Sequence, residues 1–237
     1  MRVAGVYEKC RIYIESHDKS SLNKLRFPCI TISRQTGTRA DIIGNKLVDI
    51  LNQYSHDVTE WTYFDKNLIE KVVADHHLPG ILANYMDEDK VHNLKNMMNE
   101  LLGNPSGWTF VRQMSETILQ IARLGKAVII GRGGNVITSK LNNAFHVRLV
   151  APIEKRARQA LEGYEFKNYQ EALEFVKKED ASRKNYLKTY FLKDIEDPLL
   201  YHMVLNTAAL GYEETAEIIS GCVMRRFPEL YYYSVND

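Results

Sequence analysis

Three short stretches of this 237-residue chain carry side chains suited to handling phosphate. The first, Ser33-Arg34-Gln35-Thr36-Gly37-Thr38-Arg39-Ala40-Asp41, follows a short apolar run and precedes a helical period, which is the place of a phosphate-binding loop. In such a loop glycines let backbone N–H groups wrap an oxyanion, a lysine neutralises it and a hydroxyl reaches magnesium. Here one glycine remains, no lysine follows and position 41 is acidic, so an ordinary strand-to-helix turn explains the same residues. The second stretch, Gly131-Arg132-Gly133-Gly134, sets a guanidinium in a turn whose glycines allow close backbone approach to a ligand. Arginine grips phosphate through two parallel N–H bonds, although a glycine-rich turn with a surface arginine has the same sequence. The third runs from Asp180 to Lys188 in a helical period, with Asp180 and Arg183 one turn apart and able to pair. His76 and His77 are adjacent, so their side chains diverge on a helix, and no third ligand stands at helical spacing from both. A metal centre there is set aside.

Those loops need strands and helices to position them. Short apolar runs alternate with longer helical periods from Phe27 onward, the pattern of βα units around a parallel sheet. Strands are expected at 28–33, 61–64, 127–130, 145–150 and 203–205. Helices are expected from Ala40, whose face is Ala40, Ile43, Leu47, Ile50 and Leu51, over 110–124 with Gly125 as the stop, from Ile153, over 169–191, and at the close with Ala216, Ile219 and Val223 inward. Asp65 is placed to cap a helix carrying Leu68, Ile69, Val72 and Val73. Residues 80–108 read as a helical insertion outside the sheet, and the polar stretch 15–26 separates an appendage, 1–26, from a domain over 27–237.

Lys and Arg total 31 against 30 Asp and Glu, a net charge of +1, with 45% hydrophobic and 26% charged residues. This balance supports one large buried core and excludes disorder and disulfide scaffolds. A near-zero charge disfavours nucleic acid as partner, because binding many phosphates needs a clustered basic excess. No run of 18 apolar residues and no signal-peptide core is present, so a cytoplasmic protein without membrane partners is expected. Cys10, Cys29 and Cys222 are odd in number and unpaired by motif, and are expected to be buried small hydrophobes. The aromatic tail Tyr231-Tyr232-Tyr233 fits a partner surface, but docking on its own core is the commoner fate of such a segment and is expected here.

In order along the chain, ITISRQTG, YFDKNLIEKV, AVIIGRGG, FHVRLVAPIEKR, DASRKNYLKTYF and DPLLYHMVLNT resemble the cytidylate kinase-like group of nucleoside monophosphate kinases, over about 210 residues from Ile30. The resemblance implies a three-layer α/β P-loop kinase fold with a five-stranded parallel sheet, the helical insertion, and a helical lid at about 165–192. It further implies ATP with Mg2+ as donor and a nucleoside monophosphate, CMP or dCMP, as acceptor. Arg34, Gly37, Thr38, Arg39 and Ala40 then fall on the donor-phosphate loop, and Gly131, Arg132 and Gly133 on the acceptor turn. Asp65 falls beside the acceptor, where it would orient that substrate or meet magnesium through water; no motif binds the metal directly. Asp180 and Arg183 match the D-x-x-R of a lid that closes over ATP, and Arg156 the basic residue of the helix leading to it; these three form the catalytic set.

The family loop reads roughly S-R-E-Y-G-S-G-G-R-E, whereas this chain has Gln35, Arg39, Ala40 and Asp41, and has His202 where the family often has Asp. A carboxylate in the first turn of a helix competes with phosphate for its N–H groups, so Asp41 is expected to oppose donor binding, with Arg39 folding back as the replacement cation. Two functions stay open: an ATP-dependent phosphotransferase, or a catalytically reduced relative serving as a ligand-sensing or oligomerising module. A homo-oligomer fits either.

Overall fold

Five strands lie parallel in one sheet in the order β2-β3-β1-β4-β5: β1 is Cys29–Arg34, β2 Thr62–Phe64, β3 Ala127–Ile130, β4 Ala144–Val150 and β5 Met203–Asn206. They belong to a computed structural model that describes residues 27–55, 59–65 and 109–231. The described helices are α1 (Ala40–Gln53), α2 (Thr109–Leu124), α3 (Gly134–Ile137), α4 (Ile153–Gly163), α5 (Tyr169–Phe191) and α6 (Tyr212–Arg226). The expected α/β architecture is present, and the strand and helix limits read from periodicity hold within a residue or two. Asp65's capped helix, the insertion at 80–108, the appendage 1–26, Cys10, His76, His77 and Tyr232-Tyr233 lie outside the described residues.

The β1, β3 and β4 runs are buried at nearly every position because a parallel sheet is covered on both faces; Thr31, Ser33, His146 and Arg148 are polar exceptions within otherwise apolar runs. On one face α1 and α6 bury Ile43, Leu47, Ala216, Ile219 and Val223 against Ile30, Ile32, Val128 and Val147. On the other, Met114, Ile118 and Leu119 of α2 meet Cys29, Ile129 and Ile137 together with Leu187 and Phe191 at the end of α5. The long helix α5 therefore does two jobs. Its last turns belong to the sheet's core, while Ala172 and Val176 in its first half form a separate small cluster with Ala160 of α4. Gly125, at φ +79°, stops α2 as expected. Cys29 is buried, but Cys222 is exposed, because α6 turns its Ala216–Ile219–Val223 stripe to the sheet and leaves position 222 on the outer side. Tyr231 is buried in the α1–α6 layer, as expected for a docking tail. Among the described residues no helix is long and apolar enough to cross a membrane.

The order 2-3-1-4-5 sends the chain from β1 to neighbours on opposite sides, so the crevice beyond its carboxyl end is the topological switch point. Ligands of open α/β sheets bind there.

Candidate functional site

At the carboxyl end of β1 the chain turns through Gln35–Arg39 into α1. Gln35 N–H donates to Leu149 O at 3.0 Å and its Oε1 accepts from Ala151 N–H at 3.0 Å, tying the loop to the end of β4. Gly37 sits at φ +85°, and a Cβ there would lie 2.3 Å from the Arg156 carbonyl oxygen, so both its backbone and its lack of a side chain are required. The loop is thus built as a strand-to-helix turn pressed onto α4.

A carboxylate already occupies this loop, and it is Asp180 rather than Asp41. Asp180 Oδ1 accepts from Thr36 N–H and from Thr36 Oγ1–H, both at 2.7 Å, and Oδ2 accepts from Arg156 Nη1 at 2.6 Å. Arg156, nearly inaccessible, also donates to Ala151 O at 2.7 Å and Thr36 O at 3.1 Å. It is a brace joining loop, β4 and α5. Arg183 Nη1 donates to Thr36 Oγ1 and lies 3.4 Å from Asp180 Oδ1, and its Nη2 is 3.3 Å from Glu179. Asp41 is paired with Arg39 through Nε at 3.2 Å and Nη2 at 3.1 Å on the exposed surface. The two sequence expectations for this pair are therefore corrected: Arg39, held at φ +54° as the residue before α1, turns outward to Asp41 instead of back over the loop, and Asp41 is neutralised by it. Thr38 Oγ1 is also turned inward, donating to Gln35 O at 2.9 Å, and the residue is buried. Ala40 begins α1, and its N–H precedes the first intrahelical bond.

The second half of the site is an arginine cluster. Gly131, at φ +81°, lies so close under Arg34 that a Cβ would sit 2.0 Å from its Nη1; the β1 arginine crosses the glycine turn of β3. Arg132 follows at φ +52°, a left-handed backbone unusual for a residue with a side chain. Arg34, Arg132 and Arg183 line one cavity of about 170 Å³ with Ser33, Asn135 and Glu179. A second cavity of about 170 Å³ adjoins it, lined by Arg34, Arg148, Arg183, Asp180 and Lys184. Arg148 is buried in β4 and donates to Ser33 Oγ at 2.8 Å; its guanidinium lies 5.9 Å from the Tyr201 ring centre. Tyr201 is fixed by donating to Ile195 O at 2.8 Å.

Electrostatics reports the same crowding. Arg34 is pushed down to about 10, first by burial and then by the charges of Arg183 and Arg132. Arg132 and Arg148 are lowered too, burial being the largest cause in each. Neither Arg34 nor Arg148 has a carboxylate ion pair among the described residues. Cations out of water and beside each other are stabilised by an anion placed between them. The arrangement can hold a phosphate or carboxylate and neutralise charge that develops on it.

Sequence reasoning found Arg34, Arg132, Asp180 and Arg183, and these do converge. It gave no role to Arg148 or Tyr201, and it placed Ser33 in the phosphate loop without its bond to Arg148. The signal for Arg148 was a lone arginine inside AFHVRLV, otherwise a core strand. Asp65, after β2 at the edge of the sheet, lines neither cavity. No group of three or more His, Cys, Asp or Glu among the described residues is arranged to hold a metal. A magnesium ion that arrives with nucleotide phosphates keeps several waters and needs only one or two carboxylates; of the three that line these cavities, Glu179 and Asp180 are bonded to Arg183 or the loop, and Glu196 is ion-paired with Lys184.

The sequence profile of the cytidylate kinase-like family matches residues 29–209, well over half of the chain, spanning β1, the glycine turn, the arginine cluster and β5. The chain belongs to the cytidylate kinase-like family. It has no match among curated proteins. Among solved structures, an uncharacterized protein from Eubacterium ventriosum superposes with a TM-score of 0.65 at 18% identity, covering 84% of this chain and 98% of that one. The overall architecture of this family member is thus shared with a solved structure. Shikimate kinase from Bacteroides thetaiotaomicron gives a TM-score of 0.43 at 12% identity, covering 84% of this chain and 96% of that one.

Proposed function

We propose that this protein is an ATP-dependent phosphotransferase whose acceptor is a nucleoside monophosphate of the CMP or dCMP class. The observation that carries the reading is the convergence of Arg34, Arg132, Arg148 and Arg183 on two adjoining cavities at the topological switch point, in a member of the cytidylate kinase-like family. Phosphoryl transfer needs two anionic groups held in line and the charge between them neutralised, with little covalent help.

In this reading Arg132 and Arg34 hold the acceptor phosphate above the Gly131–Gly133 turn. The Thr36–Ala40 segment at the start of α1 takes the donor phosphates, and Arg183 faces the group in transit. Donor phosphates would displace the Asp180 carboxylate from Thr36, since both need the same N–H. Arg156, fixed to Ala151 and Thr36 carbonyls, then stays as a positioning residue, while Asp180 and Glu179 become free to meet the waters of an ATP-bound magnesium ion. That ion would supply neutralising charge to the phosphates. Asp65 lines neither cavity and is given no part in this scheme.

The second reading, a ligand-binding module without turnover, is favoured by one observation: the loop N–H of Thr36 is satisfied by the chain's own carboxylate. Calorimetric titration separates the two at the binding level. CMP should bind wild type and lose roughly 1.5–3 kcal/mol of affinity in Arg132→Ala, the worth of a charge-assisted contact, with lysine restoring only part. Without magnesium, ATP should bind Asp180→Asn more tightly than wild type, since the carboxylate that opposes its phosphates is gone. CMP binding that is indifferent to Arg132 would contradict the acceptor assignment.

A further inference from the structure

A third cleft, of about 350 Å³, opens away from the arginine cluster, between α3, the start of β4, the turn before β5 and the end of α6. It exceeds either cavity at the candidate site and lies within the range of roughly 300–1,000 Å³ usual for small-molecule pockets. Its polar lining offers hydrogen-bond donors and cations, and among the described residues no Asp or Glu lines it. Lys193 and Arg226 stand at the rim, exposed, and neither has a carboxylate partner among the described residues.

His202 supplies a donor by elimination. Its Nδ1 accepts the His146 backbone N–H at 2.9 Å, so the neutral ring carries its proton on Nε2. The ring is stacked on His146, with centres 4.9 Å apart, and His146 Nδ1 is engaged by Thr31 Oγ1 at 2.8 Å. Burial and the nearby Arg226 charge lower the pKa of both rings, which keeps them neutral and reports a positive local potential. Asn135 adds an unmet donor: it is 5% exposed, and its side-chain Nδ2 has no hydrogen-bond partner among the described residues. An unmet buried donor is costly, and a ligand acceptor removes the cost. Val136, Leu141 and Leu200 form the apolar side of the cleft, with Leu199, 89% exposed, at its mouth.

We propose that this cleft is a second ligand site, taking a small molecule in which a carboxylate or phosphate is joined to an apolar body. Lys193, Arg226 and His202 Nε2–H hold the anionic head, Asn135 Nδ2 donates to it or to a polar substituent, and the leucines cover the body. The site is independent of whether the Thr36–Ala40 segment binds ATP. Asn135 lines both this cleft and the first arginine cavity, so its own substitution would not distinguish the two; Lys193, Arg226 and His202 line only this one.

Phenyl phosphate and benzoate, with inorganic phosphate as control, titrated into the full-length protein and followed by NMR of assigned amide and imidazole signals, test the site. At least one aromatic probe should shift His202 and Arg226 signals and bind more tightly than inorganic phosphate; which one binds identifies the head group. The double variant Lys193→Gln/Arg226→Gln, at two exposed positions, should lose about tenfold or more in affinity while keeping its melting temperature. Arg132→Ala should bind the probe as wild type does. Shifts confined to the Gly131–Gly134 turn with affinity lost in Arg132→Ala, an affinity unchanged in the double variant, or no binding of either probe up to its solubility would each overturn the proposal.

Discussion

The β1–β4 register places a hydroxyl opposite a basic side chain twice, one step apart along the same face. Thr31 faces His146, with Oγ1 and Nδ1 2.8 Å apart, and Ser33 faces Arg148, with 2.8 Å between Oγ and Nη1. Both basic groups are buried. They respond in opposite ways: His146 falls to about 4 and gives up its charge, whereas Arg148, although lowered, cannot. Two residues further toward the carboxyl end of the strand, the cost of burial has become a retained cation. The same sheet face is therefore neutral in its middle and positive at the switch point, where Arg34, Arg132 and Arg183 join Arg148. An enzyme that handles anions gains from that order, because charge kept out of water is worth most where the reacting phosphates sit.

The largest effect expected from breaking the charged end is on turnover. Arg183→Ala should cut the rate by about 10³ or more, the scale for an arginine completing a phosphoryl-transfer site. Steady-state ADP release at saturating ATP and acceptor reads this, with nucleotide binding measured alongside to show that the loss is in kcat.

Arg148→Met should separate function from stability. A buried cation without a carboxylate partner gains little for the fold, so the variant should melt at or above the wild-type temperature. Its monophosphate affinity should fall about tenfold or more, the loss of one charge-assisted contact. A variant that instead unfolds with acceptor affinity intact would make Arg148 a structural residue.

At the neutral end the effect is pH-dependent. The folded pKa of His146, about 4, is depressed below its unfolded value near 6.5, so between these values the unfolded chain binds the extra proton. Stability should therefore be complete above about pH 6.5 and decline as pH falls toward 4, by on the order of 3 kcal/mol. His146→Gln should flatten this part of the curve of denaturant midpoint against pH, and an equally steep fall in the variant would place the titration elsewhere.

The smallest effect expected is at Asp41. Its ion pair with Arg39 is exposed, and such pairs are worth roughly 0–1 kcal/mol. Asp41→Ala should leave ATP affinity within about twofold of wild type, in contrast to the gain expected from Asp180→Asn, because only Asp180 holds a loop N–H.

The fold was legible because buried parallel strands are mostly apolar and the helices covering them must repeat every three to four residues. Both patterns are local, as in AVII of β3 and the Ala216–Ile219–Val223 stripe of α6. The site was legible only where a turn carried its own signature, as at Gly131–Gly134. Asp180 reaches Thr36 across 144 positions, and no spacing rule assigns a carboxylate to a loop so far away. Asp41 misled because helix-start position predicts competition for phosphate, while the left-handed Arg39 beside it supplies a closer partner. Arg148 was hidden by its apolar neighbours, and only the register with Ser33 shows that its guanidinium faces the crevice wall rather than solvent.

The most direct test of the central claim is ADP release by wild type with ATP, magnesium and a panel of nucleoside monophosphates, run beside Arg132→Ala. The account predicts acceptor-dependent release that is highest with CMP or dCMP and falls in Arg132→Ala chiefly through a raised acceptor KM. No release above the ATP-only background with any monophosphate, in protein that binds both nucleotides, would contradict it and leave the ligand-binding module as the function.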